Sequence, residues 1–71
     1  MTWQEWASQY LREERARKLS AIDLLSSGAI GTSERRDGNL RDTTQESIDM
    51  NKRHVAELEQ ILTEAGISLD A

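Results

Sequence analysis

The sequence predicts a small α+β domain, mostly α, in which two antiparallel helices are joined by a short β-hairpin or loop. Three observations predict this class. Two segments, about residues 3–26 and 45–65, place apolar side chains at helical spacing, and each follows a Thr-x-x-Glu start. The polar segment between them, about residues 29–43, holds an Asp-Gly pair. At 71 residues without cysteine, the chain fits a single domain, residues 1–71, with no disulfide framework.

The first helix begins with a capping box formed by Thr2 and Glu5, and Gly28 is suited to end it. All aromatic residues of the chain lie near its start: Trp3, Trp6 and Tyr10. Aromatic side chains at helical spacing usually pack in their own core, but Trp and Tyr are also enriched at protein interfaces. Because these residues stand at the N-terminal end, beyond a charged stretch, we favour a partner-binding surface over the core interpretation.

The charged stretch interrupts the apolar side of the first helix. Glu14, Arg17 and Lys18 separate the aromatic end from a Leu-rich end. Charges rarely occupy the middle of a packed face, so we expect the Leu-rich end to be buried and the middle to be solvated. The i,i+4 pairs Glu13/Arg17 and Glu14/Lys18 are then expected to keep the middle helical.

The second helix is predicted to begin with a capping box of Thr43 and Glu46. Gly66 and Ile67, with Leu62, have the spacing of a Schellman ending, after which a short tail, residues 66–71, remains. Apolar residues repeat along one narrow seam between residues 48 and 65. The seam and the Leu-rich end together supply the predicted core: Ile22, Leu25, Ile48, Val55, Leu58 and Leu62.

The middle segment is centred on Asp37-Gly38, a pair that favours a two-residue hairpin turn. This turn aligns Arg36 with Asn39, Arg35 with Leu40, and Glu34 with Arg41. Few apolar residues support a sheet, so a docked hairpin and a flexible loop both remain possible. Its arginines either keep the loop soluble or contact an acidic partner or nucleic-acid phosphates: Arg35, Arg36 and Arg41.

Several classes of function are disfavoured. The chain has no cysteine, one histidine (His54) and no Ser/His/acid or Gly-rich phosphate-binding pattern, so we expect no catalytic residues, metal or cofactor. The net charge of −4 disfavours simple coating of bare DNA. No apolar run reaches membrane-spanning length and no signal peptide is recognisable, so we expect no membrane partner and a protein made in the cytosol.

The order and spacing of four short motifs resemble the gpW-type head-completion proteins of tailed bacteriophages. The motifs are "LLSSG" (24–28), "DG" (37–38), "TTQESI" (43–48) and "VAELE" (55–59), and the similarity covers about residues 19–62. The resemblance implies a head–tail connector subunit assembled in the host cytoplasm and located in the neck of the virion. It implies binding to the portal protein and other neck or tail proteins, and to copies of itself in a twelve-fold ring. DNA would pass through the channel without sequence-specific binding.

Two other functions compete with this one. The chain could be a small helical regulator, an antitoxin-like or adaptor module, that dimerises through the seam at residues 48–65. It could also be a DNA-binding regulator that uses the basic stretch of the first helix: Arg12, Arg15, Arg17 and Lys18. The acidic residues Glu13 and Glu14 within that stretch weaken the last interpretation.

Overall fold

A computed structural model describes residues 2–69. Its elements are α1 (Trp3–Ser27), β1 (Ser33–Arg36), β2 (Asn39–Asp42) and α2 (Thr44–Glu64). The predicted class is confirmed: the chain is mostly helical, and a two-stranded antiparallel hairpin joins the helices. The predicted tail, residues 66–71, is described as far as Leu69; residue 1 and residues 70–71 lie outside the described range.

Both ends of α1 follow the predicted signals. The Glu5 amide donates to Thr2 Oγ1 at 3.1 Å, and Glu5 Oε2 accepts from the Thr2 amide at 3.5 Å, which completes the capping box. Gly28 ends the helix with a φ of 82°, and its amide donates to the Leu25 carbonyl. Glycine adopts this left-handed conformation without the steric penalty that other residues incur. The helix ends at Ser27, one residue beyond the predicted end.

The start of α2 differs from the prediction. Thr43 is the N-cap residue, but its side chain makes no capping bond. Instead, one carboxylate oxygen of Asp42 accepts from the Thr44 amide at 2.9 Å and from the Thr44 hydroxyl at 2.6 Å. The Thr43 hydroxyl is drawn away because it donates to Thr32 Oγ1. The predicted capping box of Thr43 and Glu46 is therefore wrong. The Thr43 side chain bonds to Thr32 instead, and the Glu46 side chain bonds to Arg41.

The C-terminus of α2 has the predicted Schellman ending. The Ile67 amide donates to the Leu62 carbonyl at 2.8 Å, and the Gly66 amide donates to the Thr63 carbonyl at 3.0 Å. Gly66 has a φ of 72°. These are the two bonds that define the motif, and they turn the chain back beside α1.

The middle segment forms the hairpin rather than a flexible loop. Asp37 and Gly38 have φ values of 53° and 81°, as a type I′ turn requires at its two central positions. The predicted strand register is confirmed: Arg36 lies opposite Asn39, Arg35 opposite Leu40, and Glu34 opposite Arg41.

The two helices are antiparallel. The hairpin joins the end of α1 to the start of α2, while side chains near the middle of α1 contact the far end of α2. Arg15 Nε donates to Glu59 Oε1 at 3.3 Å, and Arg12 Nε donates to the Ser68 carbonyl at 2.9 Å. The molecule is accordingly elongated, with extents of 49 × 24 × 20 Å.

The core is small. Four apolar residues are buried in the described chain: Leu25, Ile48, Val55 and Leu62. The other two predicted core residues, Ile22 and Leu58, are only half-buried. A pair of helices covers the side chains along its contact line, whereas residues on either side of that line stay accessible unless a third element covers them.

The charged middle of α1 is less solvated than predicted. Arg15 is part-buried and bonded to α2, because the helix contact continues beyond the Leu-rich end. The predicted pairs also change: Arg17 Nη1 donates to Glu14 Oε1 at 2.6 Å, and Glu13 accepts from Gln9 instead. Residues three and four positions apart are both neighbours on a helix. Arg17 pairs with the glutamate three positions before it rather than with the one four positions before it.

Candidate functional site

Exposed apolar side chains dominate the surface. Among residues 2–69, nine large hydrophobic side chains are exposed, against four that are buried. The exposed set is Trp3, Trp6, Tyr10, Leu19, Leu24, Ile30, Leu40, Met50 and Ile61. The two most exposed of them stand at opposite ends of the molecule, Trp3 on the first turn of α1 and Leu40 on the hairpin. These two ends are the candidate functional surfaces.

The first surface is the aromatic overhang, which we define as residues 3–10 of α1. At 25 residues α1 is about 37 Å long, whereas the 21 residues of α2 span about 32 Å. The chain after α2 meets α1 at Arg12, so the first turns extend beyond the helix pair. Trp3 is 77% exposed, and the rings of Trp6 and Tyr10 stack with centroids 5.6 Å apart and planes 13° from parallel.

A depression accompanies this stack. Trp6, Gln9, Tyr10 and Glu13 line it, and its volume is about 270 Å³. Gln9 Nε2 donates to Glu13 Oε1 at 3.1 Å, which leaves the second carboxylate oxygen of Glu13 without a partner in residues 2–69. The sequence did not lead us to place Gln9 or Glu13 in a binding surface; their i,i+4 spacing beside Trp6 and Tyr10 was the available signal.

The second surface is the hairpin, where Arg41 has a structural role. Its guanidinium donates to Glu34 Oε1 at 2.8 and 3.1 Å, and to the two Glu46 oxygens at 2.7 and 3.2 Å. Hydrogen bonds to Glu34 and then to Glu46 raise the pKa of Arg41 above its ordinary value. Arg41 thus fastens β2 to both β1 and α2. Of the predicted partner-binding arginines, it is the one whose three guanidinium nitrogens all donate within the described chain.

The other two arginines remain available. Within residues 2–69 neither the Arg35 nor the Arg36 guanidinium has an ion-pair or hydrogen-bond partner. Leu40, directly across the hairpin from Arg35, is 69% exposed. We call these three residues the hairpin tip. It combines two unpaired cations with one exposed apolar side chain.

Hydroxyl groups bond the base of the hairpin to α2. The Thr32 amide donates to Thr44 Oγ1 at 3.1 Å, and the Thr32 and Ser47 hydroxyls are 2.7 Å apart. Hydrogen bonds from the Thr44 side chain and amide hold the pKa of Asp42 below its ordinary range. This cluster is the joint that sets the position of the hairpin tip relative to α2.

The basic stretch of α1 does not form a free cationic patch. Arg12 donates to the Ser68 carbonyl, Arg15 pairs with Glu59, and Arg17 pairs with Glu14. These bonds leave Lys18 as the residue of the stretch whose side chain has no hydrogen-bond or ion-pair partner in the described chain. The arrangement does not favour phosphate binding by this helix.

Other chemistry has little support in the described residues. His54 is half-buried on α2, and residues 2–69 contain no cluster of three His, Cys, Asp or Glu side chains that could hold a metal ion. Over the same residues, neither helix combines the length and hydropathy needed to cross a bilayer. Comparison of the chain with protein-family models, with curated proteins and with solved structures finds no match.

Proposed function

We propose that the chain is a structural subunit of the head–tail connector of a tailed bacteriophage. It binds the portal ring and, with copies of itself, forms the next layer of the neck around the DNA channel. The order of helix, Asp-Gly hairpin and helix supports the proposal, since it is the layout that the resemblance to gpW-type proteins implies. The confirmed hairpin register lies inside the region of that resemblance.

One observation carries the proposal: the monomer exposes more large apolar side chains than it buries. Contiguous exposed apolar surface marks sites where other molecules bind, and the stacked rings of Trp6 and Tyr10 form such a surface. A core of four residues also leaves little stability to a chain of this size, and association with neighbours is a common remedy. Both properties suit a subunit that is completed by its neighbours in a ring.

The charge distribution supports the same role. The net charge is −4, and three arginines of α1 are engaged within the chain. These bonds leave α1 without the free positive patch with which proteins hold DNA phosphates. Such a subunit suits a channel through which DNA passes without being held.

The alternative regulator was expected to dimerise through the seam at residues 48–65. In the monomer Ile48, Val55 and Leu62 of this seam are buried against α1. Dimerisation through it would require the two helices to separate, which would expose the whole core. The surfaces free to bind a partner are the aromatic overhang and the hairpin tip instead.

The test is co-expression of the chain with the portal protein of the same phage, followed by purification and electron microscopy. We expect co-purification and an additional ring of density on the portal. Leu19→Ala is a matched control, because Leu19 is an exposed apolar residue outside both surfaces, and it should assemble like the parent. Separate elution of chain and portal, together with portal rings that carry no added layer, would reject the proposal.

A further inference from the structure

The aromatic overhang has the features of a binding site for an arginine side chain. The stacked rings of Trp6 and Tyr10 present an aromatic face, and Glu13 lines the same depression. A guanidinium is planar, stacks on aromatic rings and donates to carboxylates in a fixed geometry. Neither Glu5 nor Glu13, the acidic residues nearest the aromatic rings in sequence, has an ion-pair partner in residues 2–69. The overhang is therefore apolar, and Glu5 within it and Glu13 next to it have negative charges that no ion pair in the described residues compensates.

The hairpin tip carries the matching groups. Arg35 and Arg36 are cations without partners, and Leu40 is an exposed apolar side chain beside them. Arg41 and the hydroxyl cluster hold the strands against α2, so the tip is presented on a fixed support. The two surfaces are complementary in charge, and each offers apolar area to the other.

The two surfaces of one chain do not meet. They stand at opposite ends of α1, and the helical rise between Trp6 and Ser27 is about 31 Å. Antiparallel packing places the hairpin at the far end from the overhang, in a molecule 49 Å long. The complementarity can be satisfied only between different molecules.

We infer that the hairpin tip of one copy binds the aromatic overhang of the next copy. Arg35 or Arg36 stacks on the Trp6 and Tyr10 rings and pairs with Glu13, while Leu40 covers neighbouring apolar surface. Each copy then uses two different surfaces, so the contact is head-to-tail, and such contacts close into a ring or continue as a filament. This inference rests on the proposed ring assembly and identifies the contact between its subunits.

A contact made by so few side chains is weak between free chains. Attachment to a portal ring would place copies side by side, and the raised effective concentration strengthens a weak contact without adding new ones. The experiment therefore uses the chain alone at high concentration, so that its result does not depend on portal binding. Failure here would remove the subunit contact, whereas failure of portal co-purification would remove the connector function.

The first measurement is cross-linking by a short bis-maleimide. Because the chain has no cysteine, single introduced thiols report unambiguously. Gln9→Cys places a thiol beside the overhang depression, and Asn39→Cys places one beside the hairpin tip. We expect cross-linked dimers when the two variants are mixed and few when either is treated alone. Equal cross-linking of either variant alone would show a symmetric contact and overturn the inference.

The second measurement is complementation, followed by sedimentation velocity. Trp6→Ala with Tyr10→Ala disables the overhang, and Arg35→Ser with Arg36→Ser disables the tip. Each double variant alone should associate at least about tenfold more weakly than the parent. An equimolar mixture should form pairs that grow no further, because one intact contact remains. Lys52→Ser with Arg53→Ser, which removes two exposed charges elsewhere, should behave like the parent.

Each remaining outcome is also decisive. A parent chain that stays monomeric at millimolar concentration and forms no mixed cross-links would overturn the inference. If the same double variants nevertheless lost portal binding, the two surfaces would belong to a foreign partner instead of a second copy. A mixture of the double variants that remained monomeric would likewise reject the head-to-tail contact.

Discussion

Adjacent residues in β2 perform two different tasks at the start of α2. Arg41 reaches across to Glu34 and Glu46, so one guanidinium joins three elements. Asp42 accepts two bonds from Thr44 and supplies the cap that Thr43 does not. A carboxylate at a helix N-terminus also interacts favourably with the helix dipole. The charge of Asp42 therefore contributes to the joint between the hairpin and α2.

This charge makes the joint sensitive to acid. The folded state lowers the pKa of Asp42, so its contribution is present at neutral pH and is lost as the pH falls through the folded-state pKa. We expect Asp42→Asn to lower the melting temperature near pH 7 and the difference from the parent to shrink below about pH 4. Thermal melts of both proteins across this range measure the effect. Asp23→Asn, an exposed change on α1, is the control; equal losses for both variants would contradict the capping role.

At the scale of elements, local signals predicted most of the fold. The Asp-Gly pair was sufficient for the turn and the register, because two-residue turns with positive φ fix which residues face each other. The glycines after each helix marked the ends within one residue. Thr43 is the N-cap residue as predicted, but its capping bond was wrongly predicted because its hydroxyl bonds to Thr32, a partner that helix spacing does not reveal. The same limit hid the bond between Arg15 and Glu59, which lie 44 positions apart.

The hairpin depends on the backbone at Gly38. A Cβ added there would meet no atom within 4 Å, so substitution acts through its φ of 81° alone. Gly38→Val places a β-branched residue in this conformation, which is strongly disfavoured. We expect the NMR amide shifts of residues 33–42 to lose their hairpin dispersion while far-UV circular dichroism stays helical, and assembly to be lost. Asn39→Val, at a strand position, is the control. If the Gly38→Val protein still assembled, the hairpin would have no role in assembly.

Three neighbouring residues on α2 differ in burial and should therefore differ in their contribution to the free energy of unfolding. Leu62 is fully buried, Leu58 is half-buried and Ile61 is 49% exposed. We expect Leu62→Ala to reduce the free energy of unfolding by about 2–5 kcal/mol, as for other buried leucines. Leu58→Ala should cost less, and Ile61→Ala should have the smallest effect. Urea denaturation measures all three, and a reversed order would show that the helices pack through a different face.

At the scale of the whole molecule, folding and binding use separate residues. The buried residues lie between the helices, whereas the aromatic overhang extends past the end of α2. The position of the aromatic side chains outside the core agrees with the interpretation favoured from the sequence; that they bind a partner remains a prediction. The depression beside them was not predicted: the i,i+4 spacing brings Gln9 and Glu13 near the rings, but the shape of the depression depends on how the side chains pack.

This separation is testable with the two tryptophans. Trp3 and Trp6 are 77% and 55% exposed, and loss of the Trp6–Tyr10 stack should cost about 0.5–1.5 kcal/mol. We expect Trp3→Ala with Trp6→Ala to leave the melting temperature nearly unchanged and to abolish portal or ring binding. A thermal melt beside a pull-down with the portal protein measures both. A large drop in melting temperature with binding retained would place the tryptophans in the core.

The attachment of the hairpin to α2 has a consequence for the order of folding. The bonds that join these elements link residues 2–15 positions apart. Those that join α1 to the end of α2 and to the chain after it span 44 and 56 positions. Short loops close at a lower entropic cost than long ones. We therefore expect residues 32–64 to gain structure first and α1 to dock last. In the native protein α1 should also be the first segment to open, which native-state hydrogen exchange would report as earlier exchange in α1 than in α2.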